Sequence, residues 1–211
     1  RKKICERGAE YLGCSPDDVE FDGEKVVNLK TKEEITRKEI GNKVMCSSNA
    51  PLSATEAFSS PVSPPPFMVG IAEVEIDKET GVVEPIDYAA VVDCGTVVNP
   101  NLARVQTEGG IAQGIGMALY EDIIYSEKGK NYSNSFMQYK IPSRLDVGEI
   151  RVEFESSYEP TGPFGAKSIG EIVINTPSPA ISNAVQNAVG VIVRELPITA
   201  EKVYKGMAEK E

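Results

Sequence analysis

The 211-residue chain contains no histidine. That absence removes Ser-His-Asp and Cys-His mechanisms and histidine-ligated metals, so any proton transfer must fall to Asp, Glu, Lys, Tyr or Cys. Cysteine is scarce as well. Cys5, Cys14, Cys46 and Cys94 stand far apart and none forms a CxxC. This spacing argues against a disulfide framework or a zinc or iron–sulfur site, and reduced, mostly buried thiols are expected. No residue reads as a metal ligand. No run approaches the ~20 apolar residues that cross a bilayer. The basic opening RKKICERGAE is followed by no apolar stretch, so it is not a signal peptide. There is no initiator Met, which reads as a natural split subunit, a processed product or a piece of something longer. Positive charge is in deficit: 22 Lys and Arg against 32 Asp and Glu give a net charge of −10. Nucleic-acid affinity rests on concentrated Lys and Arg, so no such partner is expected. A soluble, cytoplasmic protein with no membrane partner fits this balance.

With 41% apolar residues the chain can build a core. Residues 2–12 read as a helix stopped by Gly13, and SPDDVEFDGEKVVNL as a small hairpin turning at Asp22-Gly23. TKEEITRKEI, residues 31–40, reads as a short capped helix. Between residues 49 and 66 five prolines break the pattern, as a domain linker or as a loop draped over the protein through Phe58 and Phe67. FMVGIAEVEID and VVEPIDYAAVVD are two strand runs joined by KETG. NPNLARVQTEGGIAQGIGMALYEDI reads as a helix capped by Asn99 or Asn101. EIRVEFE is a strand, residues 178–189 an amphipathic helix closed by Gly190, VIVRELP a short strand and TAEKVYKGMAEKE a capped helix. Strands and helices alternate without a βαβ repeat, so the class is α+β with mixed sheets and packed helices.

Two places could carry chemistry. In QTEGGIAQGIG, Gly109, Gly110, Gly114 and Gly116 each cost about 1 kcal/mol relative to Ala inside a helix. Something must therefore come close to the backbone, either a neighbouring element or a ligand. No GxxxxGK[ST] is present and the pattern is not a GxGxxG after a strand, which argues against a nucleotide fold. A ligand here would have its oxygen and nitrogen edges read by Gln106, Glu108 or Gln113, since a glutamine amide both donates and accepts. The second place is GAKSIGE, residues 165–171. Glu171 borders the apolar run Ile172, Val173 and Ile174. Buried, its carboxyl would shift up toward the range of a base working near neutral pH. Exposed, it is a turn residue with Lys167 as its surface partner.

VVDCGTVVNPNLARVQTEGGIAQGIGMALYE, YKIPSRLDVGEI, YEPTGPFGAKSIGE and PAISNAVQNAVGVIVRELPITAEKV, in that order, resemble the molybdenum hydroxylases. These are the xanthine dehydrogenases and aldehyde oxidases, and the likeness is to the C-terminal part of their molybdopterin-binding subunit. GAEYLGCSPDDVEFDGEKVV is similar to an earlier stretch of that subunit, so the resemblance covers essentially the whole chain, residues 1–211. It implies that Glu171, matching the glutamate of a GxKxxGE segment, is the active-site base. On that likeness it takes the proton from a metal-bound hydroxyl, whose oxygen attacks an electron-poor carbon while hydride moves to a sulfido ligand. Gln106, matching the glutamine of GQxEGG, would contact the pterin. The implied cofactor is molybdenum-molybdopterin. FAD and iron–sulfur clusters are expected on partner subunits or domains, and the assembly could be a homodimer. The implied substrate is a small molecule, a purine-like N-heterocycle or an aldehyde.

Two departures stand out. Val105 replaces the glycine before the glutamine, and Ile172-Val173 replaces a common PP. The family's upstream domains are also missing here: the pterin-holding glycine loops, an arginine near the substrate and a small-residue loop by the metal. The chain is then one wall of an active site, inactive by itself. The alternative is a non-catalytic domain that caps and assembles the larger subunit.

Overall fold

The structure, a computed structural model, describes residues 1–47 and 51–209. The chain divides into two compact units, Arg1–Ser59 and Ser60–Glu211. The division falls inside the proline-rich segment, of which residues 49 and 50 lie outside the described residues. Phe58 and Phe67, the expected anchors of a draped loop, are both mostly exposed.

In the first unit, helix α1 (Lys2–Leu12) ends where Gly13 turns left-handed and its N–H reaches back to the last turn. Strands β1 (Val19–Phe21), β2 (Lys25–Asn28) and β3 (Glu34–Thr36) form an antiparallel sheet in sequence order. Helix α2 (Arg37–Met45) follows. The single helix expected over residues 31–40 is therefore a strand and then a helix. The cause is packing: Ile35 pairs with Val26 across the sheet and is buried with Ile40 and Val44. The helix can start only after that strand, where the Thr36–Glu39 capping box satisfies its first N–H groups.

The second unit is a three-stranded mixed sheet with helices packed on one face. Strands β4 (Phe67–Ile76) and β5 (Val83–Asp93) form the expected hairpin. β6 (Glu149–Glu155) joins β5 in parallel, in the register Ala90↔Val152. The crossover between them carries α3 (Pro100–Leu119), capped by the Asn99 side chain. Helices α4 (Ile172–Asn175), α5 (Pro177–Val189) and α6 (Ala200–Ala208) complete the unit. Tyr88 and Val152 from the sheet, Ile111 and Ile115 from α3, Ile181 and Val185 from α5, and Val203 from α6 make one core.

The strand expected at VIVRELP is absent, although Val191 is buried. Three of its carbonyls find side-chain donors instead: Lys202 Nζ donates to the Glu195 and Pro197 carbonyls at 2.9 Å each, and Ser182 Oγ to Val193 O at 3.3 Å. Buried backbone groups need partners, but not strand partners. The thiols also differ from expectation. Cys94 is buried, whereas Cys5 and Cys14 are half-buried and Cys46 is exposed.

Candidate functional site

Three segments meet where β5 ends: the loop after Asp93, the start of α3 and the loop that leads to α4. Gly95 and Ala166 form an antiparallel bridge. Around it Thr96 N–H donates to Gly165 O at 2.8 Å and Lys167 N–H to Cys94 O at 2.7 Å. The chain reverses at two left-handed residues, Phe164 (φ 55°) and Gly165 (φ 84°). Gly165 permits this for two reasons. It tolerates positive φ, and a Cβ there would lie 2.4 Å from the Tyr158 ring and 2.6 Å from Thr96 Oγ1. Gly170 has neither a positive φ nor a neighbour within 4 Å of an added Cβ.

Between these segments lies a cleft of about 530 Å³, lined by Cys94, Val98, Leu102, Gln106, Ile169 and Gly170 among others. Its size and mainly apolar walls suit a small-molecule site with few polar groups. Burial pushes the Cys94 thiol up from its ordinary range, which keeps it protonated and a poor nucleophile. Gln106 Nε2 donates to Gly170 O at 3.3 Å, so helix α3 and the GAKSIGE loop are in direct contact.

Of the residues read from sequence, the structure thus brings Gln106 beside the loop that carries Glu171. Glu171 is exposed, its carboxylate has no hydrogen-bond or ion-pair partner among the described residues, and it is not among the cleft's lining residues; its carbonyl accepts from Ile174 N–H at 3.2 Å. It immediately precedes α4, whose Val173 is buried against Gly110: a Cβ on that glycine would lie 2.1 Å from Val173 Cγ2. Tyr88 Oη, buried under the sheet's helices, donates to Thr176 Oγ1 at 2.9 Å and secures the far end of α4. The glycines of α3 separate accordingly. Gly110 and Gly114 admit Val173 and Pro177, whereas an added Cβ on Gly109 meets nothing within 4 Å.

Lys167 is not the partner of Glu171. Its Nζ lies 2.7 Å from Asp93 Oδ2, with the Lys167 side chain 7% and the Asp93 side chain 22% exposed. Asp93 Oδ1 also accepts from Ser157 Oγ at 2.6 Å and from Gly95 N–H at 3.0 Å. The Lys167 bond, then the Ser157 bond, hold the Asp93 carboxyl well down, at about 2. Sequence reading missed Asp93 and Ser157. The only local signal was a carboxylate closing an apolar strand, and 74 positions separate Asp93 from its lysine. Among the described residues no group of three or more Cys, Asp or Glu is placed to hold a metal ion. Nor is any helix among them long and apolar enough to cross a membrane.

Comparison with known proteins gives this geometry its context. The family model of the molybdopterin cofactor-binding domain matches residues 1–148. The chain is 35% identical over 212 aligned residues to the probable hypoxanthine oxidase XdhD of Escherichia coli K12, covering 98% of this chain and 22% of that protein. It is 31% identical to the gamma subunit of the 6-hydroxypseudooxynicotine dehydrogenase complex of Paenarthrobacter nicotinovorans, covering 93% of this chain and 26% of that one. Among solved structures, quinoline 2-oxidoreductase from Pseudomonas putida 86 superposes with a TM-score of 0.78 at 27% identity, over 99% of this chain and 28% of its own. CO dehydrogenase from Oligotropha carboxidovorans does so with a TM-score of 0.79 at 25% identity, over 98% and 27%. The chain therefore spans roughly a quarter of the length of its relatives. The molybdopterin-domain match over most of its residues, and the α+β fold shared with these oxidoreductases, show that this chain belongs to the molybdenum-binding family of the xanthine dehydrogenases and aldehyde oxidases.

Proposed function

We propose that the chain forms one wall of a molybdenum hydroxylase active site, with Glu171 as the general base and Gln106 as a contact to the pterin. The observation that carries this reading is the direct bond from Gln106 Nε2 to Gly170 O, one residue from Glu171, beside an apolar cleft. The residues fit a flat, heteroatom-edged cofactor. Gln106 offers both donor and acceptor character at the cleft. The N–H groups of Ser168, Ile169, Gly170 and Glu171 find no acceptor among the described residues. Gly109 leaves open space where a side chain would stand.

When bound, the molybdenum cofactor supplies the oxygen delivered to substrate and takes up the electron pair. The chain's own residues do the rest. The Glu171 carboxylate would accept the proton that the attacking group gives up. Its exposure in this chain leaves it accessible to a wall supplied by the rest of the molybdenum subunit. Gln106 orients the cofactor edge, and Val98, Leu102 and Ile169 keep water from the apolar side of the cleft. The substrate class is a purine-like N-heterocycle or an aldehyde. Iron–sulfur and FAD partners carry the electrons onward in the cytoplasm, and the upstream part of the molybdenum subunit completes the site. In the assembled enzyme Glu171→Gln keeps shape but removes the base. Turnover is expected to fall at least a hundredfold, the lower end of the roughly 10²–10⁴ that a positioned base contributes. Molybdenum content should stay at the wild-type level; near-normal turnover would refute the assignment.

One observation favours a second reading, that of an assembly domain. The outward positions Phe67, Val69 and Ile71 of β4 are all more than half exposed. An apolar row of this kind marks a surface that another element covers. Co-expression with the upstream part separates the two readings. Catalysis through Glu171 requires that the Glu171→Gln complex assemble, load molybdenum and lose turnover. A purely assembling domain gives the same complex with turnover intact.

A further inference from the structure

The carboxylate assigned as base has no contact of its own, so something else must set its place. Four residues earlier, Lys167 enters the protein, although a lysine in a glycine-rich turn ordinarily reaches into solvent. Its Nζ is held by Asp93 at 2.7 Å and stands 5.2 Å from the centroid of the Phe67 ring. Asp93 is in turn held by Ser157 Oγ at 2.6 Å and Gly95 N–H at 3.0 Å. Two backbone bonds, Thr96 N–H to Gly165 O and Lys167 N–H to Cys94 O, cross the same junction. An enclosed ion pair adds little net stability, because desolvation offsets the attraction; what it can do is select one arrangement. On the other side of Glu171, Val173 is locked against Gly110. The base thus lies between two fixed points, four residues from one and two from the other.

We infer that the Lys167–Asp93 pair is a latch that positions the loop bearing Glu171 for proton transfer, an inference that rests on the reading of Glu171 as the base. Lys167 and Asp93 are positioning residues: they act through the backbone of residues 167–171 and touch no reacting atom. Misplacing a reacting group by about 1 Å can cost on the order of a hundredfold in rate.

The test uses Lys167→Met, Lys167→Arg and Glu171→Gln in the assembled enzyme, read by hydrogen exchange at Thr96 and Lys167 and by steady-state kinetics. In Lys167→Met, exchange at these two amides should quicken at least about tenfold, since a half-buried Asp93 left without its cation destabilises the junction. The value of kcat should fall roughly tenfold to a hundredfold with KM little changed. Lys167→Arg, which keeps the charge, should restore most of both, and molybdenum content should not move. Unchanged exchange in Lys167→Met overturns the latch. Loosened exchange with wild-type kcat, while Glu171→Gln is inactive, overturns the positioning role. Wild-type kcat in Glu171→Gln instead overturns the reading beneath it. If Lys167→Met does not fold, the double variant Asp93→Leu/Lys167→Met, which leaves no unpaired buried charge, replaces it. Wild-type exchange and kcat in that variant overturn the inference equally.

Discussion

Asp93 illustrates how a single residue links stability to pH here. Its carboxyl is held at about 2 against an ordinary 3.8, first by Lys167 and then by Ser157. The folded chain therefore binds this proton less readily than the unfolded chain. The stabilisation is full above about pH 4 and is lost as pH falls toward 2. With the side chain only 22% exposed, this pH-linked difference between ionised and protonated Asp93 amounts to roughly 2 kcal/mol, whatever the pair's net contribution after desolvation. Chemical denaturation from pH 6 to pH 2 should show a steeper acid loss for wild type than for Asp93→Asn, the two curves converging at the acid end. Parallel curves would mean that the pair contributes nothing to folding. Glu171 shows the opposite case: its identity was legible from GAKSIGE, but its environment was not. The partners that hold its loop, Asp93, Gly110 and Gln106, lie far from it in sequence. Lys167, the nearest cation in sequence, is engaged by Asp93 instead.

At the scale of the element, helix α3 carries four glycines whose roles differ although the sequence presents them as one cluster. Gly110 faces Val173, with an added Cβ at 2.1 Å, whereas Gly109 faces open space. Gly110→Ala should lower the stability of the chain by about 1–3 kcal/mol through overpacking. Gly109→Ala should raise it by up to about 1 kcal/mol through helix propensity. Thermal melts of the two variants give opposite shifts if this is right. Equal shifts would mean that α4 yields and no close approach exists. If Gly109 faces the cofactor in the complete enzyme, the same Gly109→Ala change that stabilises the chain should hinder cofactor loading there. Strand β3 teaches a related lesson. Ile35 and Thr36 are β-branched and suit a strand, and pairing with β2 to bury Ile35 settles that choice inside a stretch whose charged residues read as a helix.

For the whole molecule, the decisive fact is that about a quarter of a relative's length supplies only part of a site. On the proposed reading, Gln106 and the loop beside it would meet the cofactor from one side only. A large charged ligand held from one side stays hydrated on the other, and the association entropy is not offset. The isolated 211-residue chain should therefore purify without stoichiometric molybdenum, and the metal should appear only when the upstream part is co-expressed. Elemental analysis of both preparations checks this. A loaded isolated chain would mean that the cleft alone suffices.

Much of the chemistry was determined by sequence alone. The absence of histidine confined the base to a carboxylate or another non-imidazole group, and the ordered motifs carried the family resemblance. Composition and glycine spacing announced that something lies against α3. Local rules also marked the Asn99 cap and the β4–β5 hairpin, because each depends on residues within a few positions. Tertiary structure decided which glycine meets a neighbour and which is left open. It also decided that VIVRELP needs no sheet and that Lys167 turns inward to Asp93. These outcomes depend on contacts between residues tens of positions apart, such as the 74 between Asp93 and Lys167. Burial and pairing at that separation follow from how the chain closes on itself, and no local pattern encodes them.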